Sequence, residues 1–169
     1  SPEHLDAHGS YENYVQAKVE IGKRVIKKDG TLVINEDDKE AHRFLALNAA
    51  HKVTFSTNDI PHDMRDRKNC FRFDGTDICT PIKGMFTAYN MIAAATYAKH
   101  IGIKKEVIRE ALEKVREIKG RAQEVDEGQD FVVVVDYAHT PDSLEQIYKA
   151  YNGYKIVGVL GGTGGGRDM

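Results

Sequence analysis

An α/β fold is predicted by three features. Two stretches, around residues 31–56 and 131–160, run from an apolar β-branched segment through a helical pattern into a second apolar segment. Between them lies a short hairpin pattern centred on Asp74-Gly75, the residue pair that two-residue turns favour. With 41% apolar residues in 169, the chain has enough material for a core, as one domain or as parts of two.

Taken in order, Ser10 is placed to cap a helix over residues 10 to 26. Tyr11, Tyr14, Val15, Val25 and Ile26 fall near helical spacing there, and position 18 belongs to the same stripe. Residues Thr31 to Asn35 read as a strand, Asp37 to Leu47 as a helix and Lys52 to Ser56 as a second strand. The polar stretch Asn58 to Asn69 reads as a loop, and Phe71 to Phe73 with Thr76 to Thr80 as the hairpin. Helices are expected over Met85 to Lys99 and Lys104 to Ile118, divided by Gly102. The second should bury Val107, Ala111, Leu112, Val115 and Ile118 and turn its charges to water.

A domain boundary is expected near residue 119. Beyond it, Phe131 to Val135 has the continuous pattern of a strand buried on both faces, and Lys155 to Leu160 that of its successor. Between them Thr140 is placed to cap a helix beginning at Pro141, with Leu144, Ile147, Tyr148 and Tyr151 inward and Asn152-Gly153 as its stop. No internal repeat or low-complexity tract is present.

Charge excludes some functions. There are 24 basic against 26 acidic residues, so neither a nucleic-acid footprint nor an acidic tail is visible. No apolar run approaches the ~18 residues of a membrane span, and nothing resembles an export signal. A cytoplasmic protein with no membrane or nucleic-acid partner is expected. The opening Ser1-Pro2 and the stop at Met169, directly after a glycine-rich loop, read as cut ends. Cys70 and Cys79 should face each other across the hairpin, and in a reducing compartment two packed thiols are expected over a disulfide or metal pair.

Two constellations have chemical potential. If the second β-α-β pattern is a right-handed unit, Asp136 to Thr140 and Gly161 to Asp168 emerge at one sheet edge, where open α/β sheets bind ligands. The glycines of 161–168 offer backbone N–H groups to anionic oxygens, yet Arg167 and Asp168 stand where a P-loop needs lysine and a hydroxyl. A sharp turn and a phosphate cradle remain equal readings. The other constellation is His4-Leu5-Asp6-Ala7-His8-Gly9 with Lys18. A lysine in an apolar stripe is costly unless it snorkels, pairs with Asp6 or Glu12, or is modified. His4 alone reads as a surface or capping histidine.

These residues resemble a known family. HLDAHGSYENYVQAK (4–18), GMFTAYNMIAAA (84–95), GRAQEV (120–125), VVDYAHTPDSLE (134–145) and GGTGGGRD (161–168) occur in the order found in the Mur ligase family, and resemble its MurE type in particular. The resemblance implies an α/β fold in which residues 1–119 are part of a central P-loop-type ATPase domain. That domain would have a mostly parallel sheet with helices and a small antiparallel hairpin. Residues 120–169 would begin a Rossmann-like C-terminal domain. It also implies that the P-loop and a precursor-binding domain precede Ser1, and that most of the C-terminal domain follows Met169.

The implied activity is ATP-dependent ligation of an amino acid to a UDP-N-acetylmuramoyl-peptide, through an acyl phosphate, in peptidoglycan synthesis. ATP and Mg2+ are the implied cofactors. By resemblance Lys18 is N-carboxylated and, with His4, holds the metal and serves catalysis. Asn90 lies near the adenine, Arg121 and Asp136 at the ribose, and His139 along the phosphate path. A loop-capping role is the alternative for Asp136. Thr87 stands where the family often has asparagine, Gln123 where glutamate usually follows Gly-Arg, and GGTGGGRD varies the usual loop. Other readings are a cyanophycin-synthetase-like or folylpolyglutamate-synthetase-like ligase, or a catalytically silent nucleotide-binding module. The excerpt alone is expected to be inactive. Which amino acid is added, and the oligomeric state, are not written in these residues.

Overall fold

The computed structural model describes residues 8–57, 62–65 and 68–161, with 62–65 described for their backbone course only. His4, Asp6 and the glycine-rich residues 162–169 lie outside the described residues. The elements are α1 (Tyr11–Lys27), β1 (Thr31–Asn35), α2 (Ala41–Leu45), β2 (His51–Phe55), β3 (His62–Arg65), β4 (Lys68–Phe73), β5 (Thr76–Thr80), α3 (Met85–His100), α4 (Lys105–Lys114), β6 (Gln123–Val125), β7 (Val133–Val135) and α5 (Pro141–Ala150).

Helix α1 starts where Ser10 accepts the Asn13 N–H at 3.1 Å, and ends at Lys28. Its buried stripe is Val15, Val19 and Gly22, set against β1 and α2. A Cβ on Gly22 would come within 2.9 Å of a Leu47 methyl, so a larger residue there would make Leu47 shift. Strands β1 and β2 run parallel with Thr31 opposite His51 and Asn35 opposite Phe55, the predicted β-α-β unit. Its helix is shorter than expected. Residues 36–40 form turns instead, because the Asp37 carboxylate bonds the end of β2 rather than opening a helix.

Strands β3, β4 and β5 form an antiparallel sheet in that order. The expected 58–69 loop therefore contains a strand, which its polar composition concealed. The hairpin register is as predicted, with Asp74 and Gly75 both at positive φ. Cys70 and Cys79 are directly opposite, their Cα atoms 4.2 Å apart, and are joined as a disulfide. This corrects the expectation of two free thiols: compartment argued for them, and register brings the sulfurs into bonding reach.

Helix α3 lies across both sheets, burying Ala88, Met91, Ile92 and Ala95. Together with Phe71, Ile78 and Ile82 most of that face forms the larger core cluster. Helix α4 ends four residues early and is rotated from the predicted face. Ile108 is its buried residue, with Leu112 and Val115 packed on the core, whereas Val107 and Ile118 are exposed.

Beyond residue 119 the expectation of a parallel pair is not met. Strand β7 is three residues long and pairs antiparallel with β6, while 155–160 carries no strand. Phe131, Val132 and Val135 are exposed rather than covered on two faces, and Val159 is 95% exposed. A β-branched run is buried only when ladders and helices flank it, and among the described residues β7 has a single partner. This part is tied to the rest by Ala122, buried in the larger cluster, and by Ile147 packed against it. No helix among the described residues is long and apolar enough to cross a membrane.

Candidate functional site

Three of the predicted site residues come together. The turn Gly120-Arg121-Ala122 lies against the segment following β7, where the Tyr137 N–H donates to the Gly120 carbonyl at 3.0 Å. The Asp136 carboxylate accepts the Ala122 N–H through one oxygen and the Ala138 N–H through the other, both at 2.6 Å. Arg121 rests its guanidinium 5.2 Å from the centroid of Tyr137, and the His139 ring meets the same tyrosine edge to face at 4.9 Å. His139 Nδ1 is 2.8 Å from the Tyr137 carbonyl. Arg121 and His139 are exposed and Asp136 is half-buried.

Asp136 is therefore a loop-bracing carboxylate in this structure, the alternative the sequence reading set second. Its two inner lone pairs close the gap between the 120–122 turn and the 136–138 turn. The brace also explains Ala122, which sits at φ 44, a conformation non-glycine residues seldom adopt, while almost fully buried. A carboxylate has further lone pairs, so bracing and binding a hydroxyl are compatible.

Asn90 is exposed on α3. Thr87, at the position where the family often has asparagine, is buried and gives its hydroxyl to the Lys83 carbonyl at 2.9 Å. Gln123 caps the turn by accepting the Gly120 N–H at 3.1 Å and reaches Glu117 at 3.2 Å.

Lys18 departs from its predicted place. It is exposed, with Nζ 4.6 Å from the Tyr14 ring centroid. The buried stripe passes through 15, 19 and 22, which leaves position 18 about 60° round the helix on its flank. Of the three readings of this lysine, the exposed amine matches snorkelling, and its N-carboxylation rests on the family resemblance alone. Glu12, one suggested partner, is instead held by Arg43 through two bonds of 2.6 and 2.7 Å. That guanidinium, with a bond from Gln16, lowers the Glu12 carboxyl to about 2. His8 lies edge-on to Tyr14 at 5.7 Å. Among the described residues no group of three His, Cys, Asp or Glu side chains is placed to hold a metal ion.

One organising residue was missed. Asp37 stands just past the carboxyl end of β1 and accepts the Thr57 N–H at 2.8 Å, the Thr57 hydroxyl at 2.9 Å and the Ser56 hydroxyl. Burial pushes its carboxyl up, but bonds from Ser56, Thr57 and Tyr89 outweigh this and hold it below the ordinary range. It thus joins the ends of both parallel strands to α3, one residue from Asn90. Only position hinted at it: Asp37 lies two residues past one strand of the parallel pair, and Ser56-Thr57 follow the other.

Known proteins resemble this chain in both sequence and fold. Residues 1–98, more than half of the chain, match the Mur ligase middle domain. A UDP-N-acetylmuramoyl-L-alanyl-D-glutamate–2,6-diaminopimelate ligase of Oceanobacillus iheyensis is 32% identical over 99% of the chain. The protein of the same name from Caldanaerobacter subterraneus subsp. tengcongensis is 36% identical, also over 99%. The chain spans 38% and 36% of those relatives' lengths. A crystal structure of MurF from Acinetobacter baumannii superposes with a TM-score of 0.72 over 86% of this chain and 34% of that one. At 20% identity that likeness speaks for the fold alone.

Proposed function

The chain belongs to the Mur ligase family, and from that premise we propose that it is part of an ATP-dependent amide ligase acting on a UDP-N-acetylmuramoyl-peptide. Residues 1–119 are its share of the central domain and 120–169 open the C-terminal domain. The substrates named for the relatives, a UDP-N-acetylmuramoyl-L-alanyl-D-glutamate and 2,6-diaminopimelate, are the ones we extend to it. Such a ligase works in the cytoplasm. The observation that carries the reading is the convergence of Arg121, Asp136 and His139 on one loop cluster, a cation, a carboxylate and an imidazole suited to a nucleotide.

In this reading the substrate carboxylate attacks the γ-phosphate of ATP, and the incoming amine then displaces phosphate from the acyl phosphate. Asn90 takes the adenine edge. Asp136 accepts a ribose hydroxyl on its outward lone pairs, Arg121 lies beside it, and His139 faces the phosphates. By the family resemblance, Lys18 and His4 are the residues that would hold the implied Mg2+. The exposed amine is open to CO2: once the ammonium proton is lost, formation of the N–C bond would release a second proton and leave a carbamate. The resulting carbamate is an oxygen donor of the kind a hard cation prefers, with His4 as its companion ligand. Bound there, Mg2+ would offset charge on the transferred phosphoryl oxygens.

The test is a ligation assay on the full-length protein containing this chain, with ATP, the UDP-linked dipeptide and 2,6-diaminopimelate. ADP release coupled to amide formation is expected. ADP release with glutamate-chain or arginine–aspartate polymer substrates, but none with the muramoyl precursor, would move the protein to a different ATP-dependent ligase. No nucleotide binding or turnover at all would make it a silent module.

A further inference from the structure

We propose that Lys83 is a positioning residue that sets the spacing between the adenine side and the ribose side of the candidate nucleotide site, a claim that rests on the reading just given. Lys83 stands two positions before α3, the helix that carries Asn90. Its backbone carbonyl takes the Thr87 hydroxyl at 2.9 Å, and the next carbonyl, of Gly84, takes the Asn69 amide at 2.8 Å. The main chain at Lys83 is thus anchored to α3 and, through Asn69, to the buried end of the hairpin sheet.

Its side chain reaches the other way. Nζ lies 2.8 Å from the Glu124 carboxylate, and the same oxygen accepts the Tyr151 hydroxyl at 3.0 Å. The ammonium also stands 4.7 Å from the Tyr151 ring centroid and 5.2 Å from that of Tyr154. Only 12% of the Lys83 side chain is exposed, and Tyr151 is buried. Several other ion pairs of the described residues join exposed neighbours within one helix, such as Glu110 with Lys114 and Glu145 with Lys149, and the longer-range pair of Lys99 with Asp74 is exposed as well. This one joins segments far apart in sequence and is shielded by two aromatic rings.

Glu124 transmits the constraint because it is part of a rigid piece. It pairs with Val134 in the β6–β7 ladder, whose ends are adjacent to Arg121 and Asp136. Fixing Glu124 against Lys83 therefore fixes Arg121 and Asp136 against the start of α3. Removing the ammonium leaves the apolar contacts of Ala122 and Ile147 in place, so the piece stays folded but its orientation broadens. A nucleotide must then restore the spacing on binding, which weakens its affinity more than it slows the distant phosphoryl step.

The experiment uses the full-length protein and compares wild type, Lys83→Met, Glu124→Gln and the reciprocal Lys83→Glu/Glu124→Lys pair, well below each melting temperature. Each single change is expected to raise KM for ATP about tenfold while kcat falls less than about threefold, and the reciprocal pair to recover most of the loss. A KM for ATP unchanged in the single variants, or a rise the reciprocal pair does not reverse, overturns the proposal. A wild type that neither binds nor turns over ATP sinks the underlying nucleotide reading instead.

Discussion

The carboxylate of Asp136 receives the backbone N–H of Ala122 at 2.6 Å, across fourteen residues of chain. That bond holds a buried alanine in the left-handed region and brings the Arg121 turn onto the segment that carries His139. Asp136 shares this task with the Tyr137 N–H to Gly120 carbonyl bond and the β6–β7 ladder.

Asp136→Ala removes two charge-assisted bonds and leaves two backbone donors to find water. It should cost about 3 kcal/mol, read as a lower urea midpoint at unchanged slope. At Ala122 two effects oppose. Glycine relieves roughly 1 kcal/mol of left-handed strain but gives up a buried methyl and adds unfolded-state entropy of similar size. Ala122→Gly should accordingly fall within about 1 kcal/mol of wild type, whereas Ala122→Val, which is β-branched and larger, should destabilise clearly. Equal destabilisation by glycine and valine would show that backbone conformation is not the constraint.

The Cys70–Cys79 bond predicts that denatured, unreduced protein shows no thiol to a disulfide-exchange reagent. Cys79→Ser should expose one. Closing a loop of this length limits the unfolded chain by roughly 2–3 kcal/mol, so reductant should lower the melting temperature by several degrees. Two reactive thiols in the unreduced protein would restore the sequence expectation.

Arg43 holds the Glu12 carboxyl at about 2, against an ordinary 4.5. A depressed folded-state value means that the pair's contribution is complete above the ordinary value and fades as pH falls from there towards 2. A carboxyl-carbon NMR titration of Glu12 should have its midpoint near 2, moving back towards the ordinary range in Arg43→Gln. Identical midpoints in the two proteins would exclude the guanidinium as cause.

Lys18 is exposed, so Lys18→Ala should leave stability within about 0.5 kcal/mol. In the full-length protein it should nonetheless abolish ligation, and added bicarbonate should not restore it. Wild-type turnover in this variant would remove Lys18 from the mechanism. The 169-residue chain alone should show little or no ATP turnover.

Much of the local structure was legible. The Ser10 and Thr140 caps, the 31–35 strand, the in-register hairpin and α3 all follow from patterns within a few residues of each other. That Arg121 and Asp136 belong to one region was implied by the family resemblance; that Asp136 bonds Ala122, and Arg121 rests on Tyr137, was not. Asp37 was not, because its donors lie twenty residues away and its own surroundings mimic a helix start.

By itself the sequence determined which segments extend, which coil and where they turn, because capping, periodicity and turn chemistry are short-range. Tertiary structure alone decided that Lys18 faces water, that Asp136 braces Ala122, and that the 131–135 run is left largely uncovered. Burial and partner choice depend on what distant segments bring to a residue, and spacing along a chain does not encode that.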